Sequence, residues 1–204
     1  MPERVIAYID GFNLYFGIKS KDWRQYYWLN IKSLCGQFIR PGQQLLSTKY
    51  FTSTIKGNPA KSARQGAFLN ALKTVSNLEV LRGKYGMRSY TCHRCDYDGK
   101  LPTEKMTDVR IASEMITDAF QDKYDTAFLV SGDKDLAPAV EIIKEVFPHR
   151  HIIALFPPAR YTQDLKDVCD AGLHIRKKHL INSLLPPTIT RPHKPPLFQP
   201  PEWT

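Results

Sequence analysis

Four carboxylates stand at positions where a parallel β-sheet would bring them together. Asp133 and Asp135 follow the apolar run at residues 128–130, and Asp10 directly ends another short apolar run. Asp108 lies early in an amphipathic segment. Several close carboxylates repel one another unless a cation neutralises them, and ligands that are all oxygen suit Mg²⁺ or Mn²⁺ better than zinc. The pattern makes Asp10, Asp108, Asp133 and Asp135 candidates for one divalent-metal site, with unrelated helix caps and surface acids as the alternative.

Each acid of the turn at residues 131–135 also has a structural explanation. Asp135 could cap the following helix, and Asp133 could favour the turn itself. From the turn alone, capping and metal binding are equally good interpretations of the two carboxylates.

Polar residues beside the acids are candidates for binding substrate. Asn13 and Ser131 could hydrogen-bond to water, phosphate or a metal ligand, or could stabilise their own turns. Lys105 and Lys134 could bind phosphate, although exposed lysines are commonly only solvated. The aromatic residues Phe12, Tyr15 and Phe16 could stack on unpaired bases or belong to the core.

The charge balance points to a polyanionic partner. The 204 residues include 29 Lys and Arg against 20 Asp and Glu, a formal net charge of +9. Such a surface favours nucleic acid or an anionic membrane surface. Because a metal held by acids can activate water and stabilise a departing oxygen, an acidic pocket in a basic protein indicates phosphodiester hydrolysis.

The elements that must position the acids alternate between strands and helices. Alternation of this kind predicts an α/β fold with a mostly parallel sheet covered on both faces, whose strand ends share one edge. The predicted strands are residues 5–9, 45–52, 78–81, 126–130, 151–156 and 173–175. The predicted helices include residues 61–76, 104–120, 135–146, 160–172 (closed by Gly172) and 176–185.

The predicted domain organisation is one domain with a tail. Residues 1–185 form the domain, and a hairpin-like insertion covers residues from about 83 to 102. Residues 186–204 are proline-rich, which is typical of an extended or disordered tail, of docking to a protein partner, or of packing against the chain's own domain. No apolar run approaches the roughly 18 residues of a membrane span, so we expect no membrane association and a soluble, cytoplasmic protein.

Cysteine spacing offers a second, weaker metal candidate. Cys92 and Cys95 form a CxxC pair in the predicted hairpin, but structural zinc normally needs four ligands and no second pair follows. Free thiols are therefore the preferred interpretation, unless Cys35 or Cys169 lies close in space. Two basic clusters, at residues 82–88 and 176–178, could follow a phosphate backbone or form solvated faces.

Several motifs together resemble the NYN family, the PIN-like nuclease domains related to LabA-type proteins. The resemblance covers roughly residues 4–176 and rests on AYIDGFNLYFGI, YYWLNI, EKMTDVRIASEMI and YDTAFLVSGDKDLAPAVEIIKE. It implies a Rossmann-like three-layer α/β/α fold, a divalent-metal site and usually RNA as substrate. By this resemblance Asp10 is the first-strand acid, Asn13 its polar neighbour, Asp108 the helix acid, and Asp133 and Asp135 the acids of the SGDxD motif.

One position departs from the family pattern. Many relatives carry an aspartate where this chain has Glu114, six residues after Asp108 and therefore on a different side of a helix. We expect Glu114 at most to contact a metal ligand.

The sequence thus predicts a metal-dependent ribonuclease that uses Mg²⁺ or Mn²⁺ to activate water. Two alternatives stay open: a non-catalytic RNA-binding module, and a metal-dependent phosphohydrolase that acts on DNA or small nucleotides.

Overall fold

The computed structural model of the protein describes residues 1–55, 57–91 and 94–204, without the side chains of residues 84–89 and 100–105. Its described strands are β1 (Glu3–Asp10), β2 (Gln43–Thr52), β3 (Leu78–Arg82), β4 (Lys84–Thr91), β5 (Asp98–Lys105), β6 (Thr126–Val130), β7 (His151–Phe156), β8 (Ala171–His174), β9 (Thr188–Arg191) and β10 (Lys194–Phe198). Its described helices are α1 (Gly11–Ser20), α2 (Ile31–Gly36), α3 (Pro59–Leu72), α4 (Thr107–Phe120), α5 (Ala137–Val146), α6 (Gln163–Val168) and α7 (Lys177–Ile181). Short 3₁₀ turns occupy Arg24–Tyr26, Lys134–Leu136 and Pro201–Trp203.

The central sheet has six parallel strands in the order β3-β2-β1-β6-β7-β8. Strands β1 and β6 lie side by side at its centre, with Val5 opposite Thr126 and Ile9 opposite Val130. Because both strands end at the same level, Asp10 and the turn that begins at Ser131 leave the sheet next to each other. The α/β fold with a mostly parallel sheet is confirmed.

Helices cover both faces of this sheet and bury two apolar clusters. Along β1, Val5, Ala7 and Ile9 enter one cluster with α1, α2 and α3, and Ile6 and Tyr8 enter the other with α4, α5 and α6. Burial on both faces explains why β1 has a continuous apolar run rather than alternating polarity. Among the described residues, no helix combines the length and apolar character needed to cross a membrane.

Helix α4 begins later than the sequence pattern predicted. Strand β5 continues to Lys105, and Met106 has a positive φ of 75°, so the helix starts at Thr107. Ile111, Met115 and Ala119 then recur every fourth residue and are completely buried. This later start places Asp108 in the first turn of α4.

The predicted role of Gly172 is wrong. Helix α6 ends at Val168, and Gly172 lies within β8. A Cβ atom on Gly172 would lie 2.4 Å from the Lys166 side chain and 2.8 Å from the Phe156 ring. Close packing against side chains of α6 and β7 therefore accounts for this glycine.

The hairpin and the tail both form regular structure. Strands β4 and β5 pair antiparallel where the sequence predicted a hairpin-like insertion. In the tail, β9 and β10 form another antiparallel pair, and Trp203 packs into the core with only 9% of its surface exposed. Of the alternatives that its composition left open, the described tail packs against its own domain.

Candidate metal centre

Three carboxylates converge at the carboxyl ends of β1 and β6. Asp10 ends β1 and is 4% exposed, Asp133 lies in the turn after β6, and Asp108 comes from α4. One oxygen from each of the three lies within 4.8 Å of the other two. Mg²⁺ holds oxygen ligands at about 2.0–2.1 Å, so three oxygens this close together are candidates to bind one ion.

Hydrogen bonds fix Asp10 between helix α1 and the turn after β6. Its Oδ1 accepts a bond of 2.9 Å from the backbone N–H of Asn13, which makes Asp10 the N-cap of α1. Its Oδ2 accepts a bond of 3.1 Å from the Ser131 hydroxyl. The Asn13 side chain also accepts a bond of 3.0 Å from the N–H of Gly132. The first-strand acid is thus tied to the turn that carries Asp133.

The same turn holds Asp133 through its backbone and its side chain. The N–H of Asp133 donates to the Ser131 hydroxyl at 3.0 Å, and Asp133 Oδ1 accepts from the N–H of Asp135 at 3.0 Å. Asp133 is therefore the N-cap of the 3₁₀ turn Lys134–Leu136. The interpretation of Asp135 as the cap is wrong, because the acid two residues earlier has that role.

Electrostatic repulsion between the acids affects the pKa of Asp108. Loss of hydration, followed by repulsion from Asp133 and Asp135, raises the pKa of Asp108 above its ordinary value. A divalent cation would relieve this repulsion, and an all-carboxylate donor set matches the hard oxygen ligands that Mg²⁺ and Mn²⁺ prefer. The residues present therefore fit such an ion.

A cavity of about 160 Å³ opens beside the three acids, and Phe12, Asn13, Phe16 and Arg160 complete its lining. The rings of Phe12 and Phe16 stack with their centroids 6.1 Å apart. Tyr15, by contrast, is half-buried against the core. Of the three aromatic residues whose role was open, Phe12 and Phe16 line the site and Tyr15 packs as a core residue.

Sequence reasoning missed Arg160. It lies in the loop after β7, the neighbour of β6, and its backbone packs so closely on Gly132 that a Cβ there would lie 2.7 Å from the Arg160 carbonyl carbon. The available signal was its position, since a loop after the next parallel strand opens at the same edge of the sheet.

Other predicted site residues lie at the margin. Asp135 and Lys134 are exposed, and Asp135 is outside the group of three converging oxygens although its charge acts on Asp108. The side chain of Lys105 is outside the described part of the chain. Glu114 of α4 accepts a hydrogen bond of 2.8 Å from Lys49 of β2. It therefore takes part in an ion pair that is separate from the three acids.

The zinc candidate gains no ligand set within the described residues. Cys92 lies outside them, Cys95 is exposed, and Cys35 and Cys169 are buried in apolar clusters on opposite faces of the sheet. Burial raises the pKa of both buried thiols to about 12. Cys35 and Cys169 thus act as core residues, and the proposal of zinc at Cys92 and Cys95 stays a prediction.

Two known proteins are similar to this chain. A curated relative, the 6-hydroxy-3-succinoylpyridine 3-monooxygenase HspA of Pseudomonas putida, is 28% identical over 177 residues, which cover 70% of this chain and 56% of the relative. The chain therefore spans about half the length of that protein. The crystal structure of a Vibrio parahaemolyticus protein of unknown function has the same fold, with a TM-score of 0.62 and 22% identity over 90% of this chain and 97% of that one.

The family match covers most of the chain. Residues 4–176 match the NYN domain, and this range contains all three converging acids. With the first-strand, helix and turn acids at one edge of a parallel sheet, the chain belongs to the NYN domain family of PIN-like nucleases.

Proposed function

We propose that the protein is a divalent-metal-dependent ribonuclease that hydrolyses phosphodiester bonds at the centre of Asp10, Asp108 and Asp133. The observation that carries this proposal is the convergence of three carboxylate oxygens within 4.8 Å in a protein of net charge +9. A basic protein attracts a phosphate backbone, whereas an acidic pocket within it has to recruit a cation.

The chain's own residues have distinct roles in this proposal. Asp10, Asp108 and Asp133 hold Mg²⁺ or Mn²⁺, which when bound lowers the pKa of water and stabilises charge on the departing oxygen. Ser131 and Asn13 keep Asp10 and the turn of Asp133 in register.

The cavity wall provides contacts for substrate. Arg160 supplies a positive charge for a phosphate, and the stacked rings of Phe12 and Phe16 offer a surface for an unpaired base. Asp135 orients the approach of the ion through its charge. Lys134, exposed in the same turn, is proposed to contact phosphate, and the same role for Lys105 is proposed from the sequence alone.

The Asp133→Asn variant tests this proposal. Its amide oxygen can still accept the bond from Asp135 N–H, so the turn keeps its cap while the metal centre loses a charge. We expect hydrolysis of labelled single-stranded RNA in Mg²⁺ or Mn²⁺ to fall about a hundredfold or more. Asp164→Asn, which changes an exposed aspartate in the first turn of α6, is the matched control and should keep full activity.

Parallel reactions with duplex RNA, DNA and EDTA define the substrate. Full activity in Asp133→Asn would reject the metal mechanism. RNA binding that needs no metal and is followed by no cleavage would instead favour the non-catalytic binding module.

Hydrolysis of small nucleotides is the second candidate. A separate cavity of about 340 Å³ with aromatic walls adjoins Phe12 and could accept a single ring. The Pseudomonas putida relative is likewise named for a single ring, a substituted pyridine. Release of phosphate from mononucleotides, measured beside RNA cleavage, separates this candidate from the ribonuclease.

A further inference from the structure

A second cavity, which we call the ring cavity, lies behind the wall of the metal centre. Gly11 and Phe12, the two residues after Asp10, line it, and Phe12 also lines the acidic cavity. The ring cavity measures about 340 Å³, within the range of pockets that hold small ligands. Its aromatic lining consists of Phe12, Tyr15, Tyr27, Tyr50, Phe68 and Trp203.

Most of these ring pairs meet edge to face, whereas Tyr15 and Tyr27 are tilted by 42° with their centroids 4.9 Å apart. Trp203 lies 5.6 Å from Tyr27 at 84° and 6.2 Å from Phe68 at 75°, and Tyr50 lies 5.9 Å from Phe68 at 83°. Burial is the largest cause that raises the pKa of Tyr27 to about 12, so its hydroxyl is uncharged near neutral pH. Uncharged aromatic walls of this kind suit a planar ring.

Cations surround the aromatic interior. Lys19, Arg24, Lys61 and Arg64 line the ring cavity beside a single acid, Glu202. Arg64 pairs with Glu202 at 2.7 Å and Arg24 pairs with Asp22 at 3.3 Å. Within the described part of the chain, Lys19 and Lys61 have no ion-pair partner. Lys61 also lies in the first turn of α3, where the helix dipole favours an anion.

We propose that the ring cavity binds one nucleotide, with its base among the aromatic side chains and its phosphate near Lys19 and Lys61. The aromatic side chains suit a planar ring and the lysines suit a negative group, so a ligand that has both fits the whole lining. This inference rests on the proposed ribonuclease function, because residues 11 and 12 place the ring cavity directly behind Asp10. A paired base cannot enter, so the substrate class becomes single-stranded RNA with one base turned out of the stack.

Isothermal titration calorimetry on the Asp133→Asn protein in EDTA tests binding without hydrolysis. The probes are adenosine 5′-monophosphate, uridine 5′-monophosphate, ribose 5-phosphate and pyridine-3-carboxylate. We expect one nucleotide per chain, bound about tenfold or more tightly than ribose 5-phosphate because a stacked base adds affinity.

Two variants locate the bound nucleotide. Ile55→Trp adds an indole to the lining of the ring cavity and should abolish the preference for nucleotides over ribose 5-phosphate. Lys61→Ala should weaken nucleotide binding several-fold, whereas Lys73→Ala, at the exposed other end of α3, should leave it unchanged. Since Lys61 is exposed, its replacement leaves the core intact even if Ile55→Trp disturbs folding.

Three results would overturn the nucleotide site: equal affinity for nucleotides and ribose 5-phosphate, tighter binding of pyridine-3-carboxylate than of either nucleotide, or unchanged binding in both variants. Failure of the ribonuclease proposal gives a different result. Wild-type protein that binds nucleotides but cleaves no RNA rejects the ribonuclease and keeps the nucleotide site, whereas cleavage without nucleotide binding rejects only the nucleotide site.

Discussion

Ser131 joins two of the metal-centre acids although it carries no charge itself. It is completely buried, donates to Asp10 and accepts from the backbone of Asp133. Its position follows from the register of the sheet, since Ile9 and Val130 pair and the next residues leave the sheet together. A single hydroxyl therefore sets the spacing between a strand acid and a turn acid.

Removing this hydroxyl should loosen the metal centre without unfolding the protein. We expect Ser131→Ala to weaken Mn²⁺ binding by about tenfold or more, because groups that orient metal ligands commonly contribute that much. Calorimetric titration with Mn²⁺ measures the effect. Ser113→Ala, at an exposed position on α4, serves as control, and unchanged Mn²⁺ affinity in Ser131→Ala would contradict this role.

At the residue scale, the acids could be predicted and their individual roles could not. Carboxylates that follow apolar runs identify a sheet edge, which was sufficient to select Asp10 and Asp133. Which aspartate of the SGDKD turn is the cap depends on backbone angles that spacing does not determine. Arg160 lies in a loop whose sequence has no recognisable motif. Its place at the site follows only from its position after β7, the neighbour of β6 in the sheet.

At the element scale, an ionic cluster holds the opposite edge of the sheet. Arg4 at the start of β1 pairs with Asp122 at 2.8 Å and with Asp125 at 2.7 Å, and Arg150 before β7 bonds to the same two acids. The backbone of Asp125 also bonds to Arg4 and His151. These contacts join the amino ends of β1, β6 and β7 and so align the strands whose other ends carry the site.

This cluster should make stability depend on acid pH. The hydrogen bond from Arg4 is the main cause that lowers the pKa of Asp125 from 3.8 to about 2. Because the folded pKa is below the unfolded one, the stabilisation is complete above pH 3.8 and is lost as the pH falls toward 2. We expect Asp125→Asn to have a lower Tm than wild type near neutral pH and a smaller difference near pH 2.

Thermal melts over this pH range measure the difference. A Tm difference between wild type and Asp125→Asn that stays constant with pH would exclude the ion pair as its cause. Asp164→Asn should give no pH-dependent difference, since that aspartate is exposed and has no ion-pair partner within the described residues.

The elements themselves were largely predictable, for a physical reason. Strands buried on both faces are continuous apolar runs, so β1, β6 and β7 stand out in the sequence. Helix ends were less accurate because β5 and the positive φ of Met106 delay α4, and close packing rather than a helix end explains Gly172.

At the scale of the whole molecule, charge is arranged along the carboxyl edge of the sheet. The acids lie after the two central strands, whereas Arg82 ends β3 at one side, Arg160 follows β7, and Arg176 follows β8 at the other side. An edge with this charge distribution would bind the phosphates of a single-stranded RNA at its flanks and place one phosphodiester bond at the metal centre.

The salt dependence of RNA binding tests this arrangement. Replacing Arg176, Lys177 and Lys178 by alanine should reduce the slope of log K against log salt by about 2, since each phosphate contact to a single strand contributes about 0.7. Filter binding with single-stranded RNA and Asp133→Asn protein gives the slope. Alanine at the exposed residues Lys21, Arg40 and Lys73 should change it less, and equal changes for both triple variants would indicate a diffuse basic surface instead.

The ring cavity could not be predicted from the sequence. Its walls come from α1, β2, α3, the 3₁₀ turn region near Tyr27 and the tail, segments that share no motif. Trp203 in particular lies in a proline-rich stretch whose composition favours an extended chain. Its packing against Tyr27, Trp28 and Phe68 places it in the core.

The three acids differ in what else they do for the protein. Asp10 caps α1 and Asp133 caps the 3₁₀ turn. The N-cap residue of α4 is Met106, which makes no side-chain cap hydrogen bond, and Asp108 has no such role. A relative that has lost catalytic activity can therefore still keep the first two acids, because they stabilise the fold. Asp108 is the position that should distinguish active enzymes from pseudoenzymes among proteins of this fold.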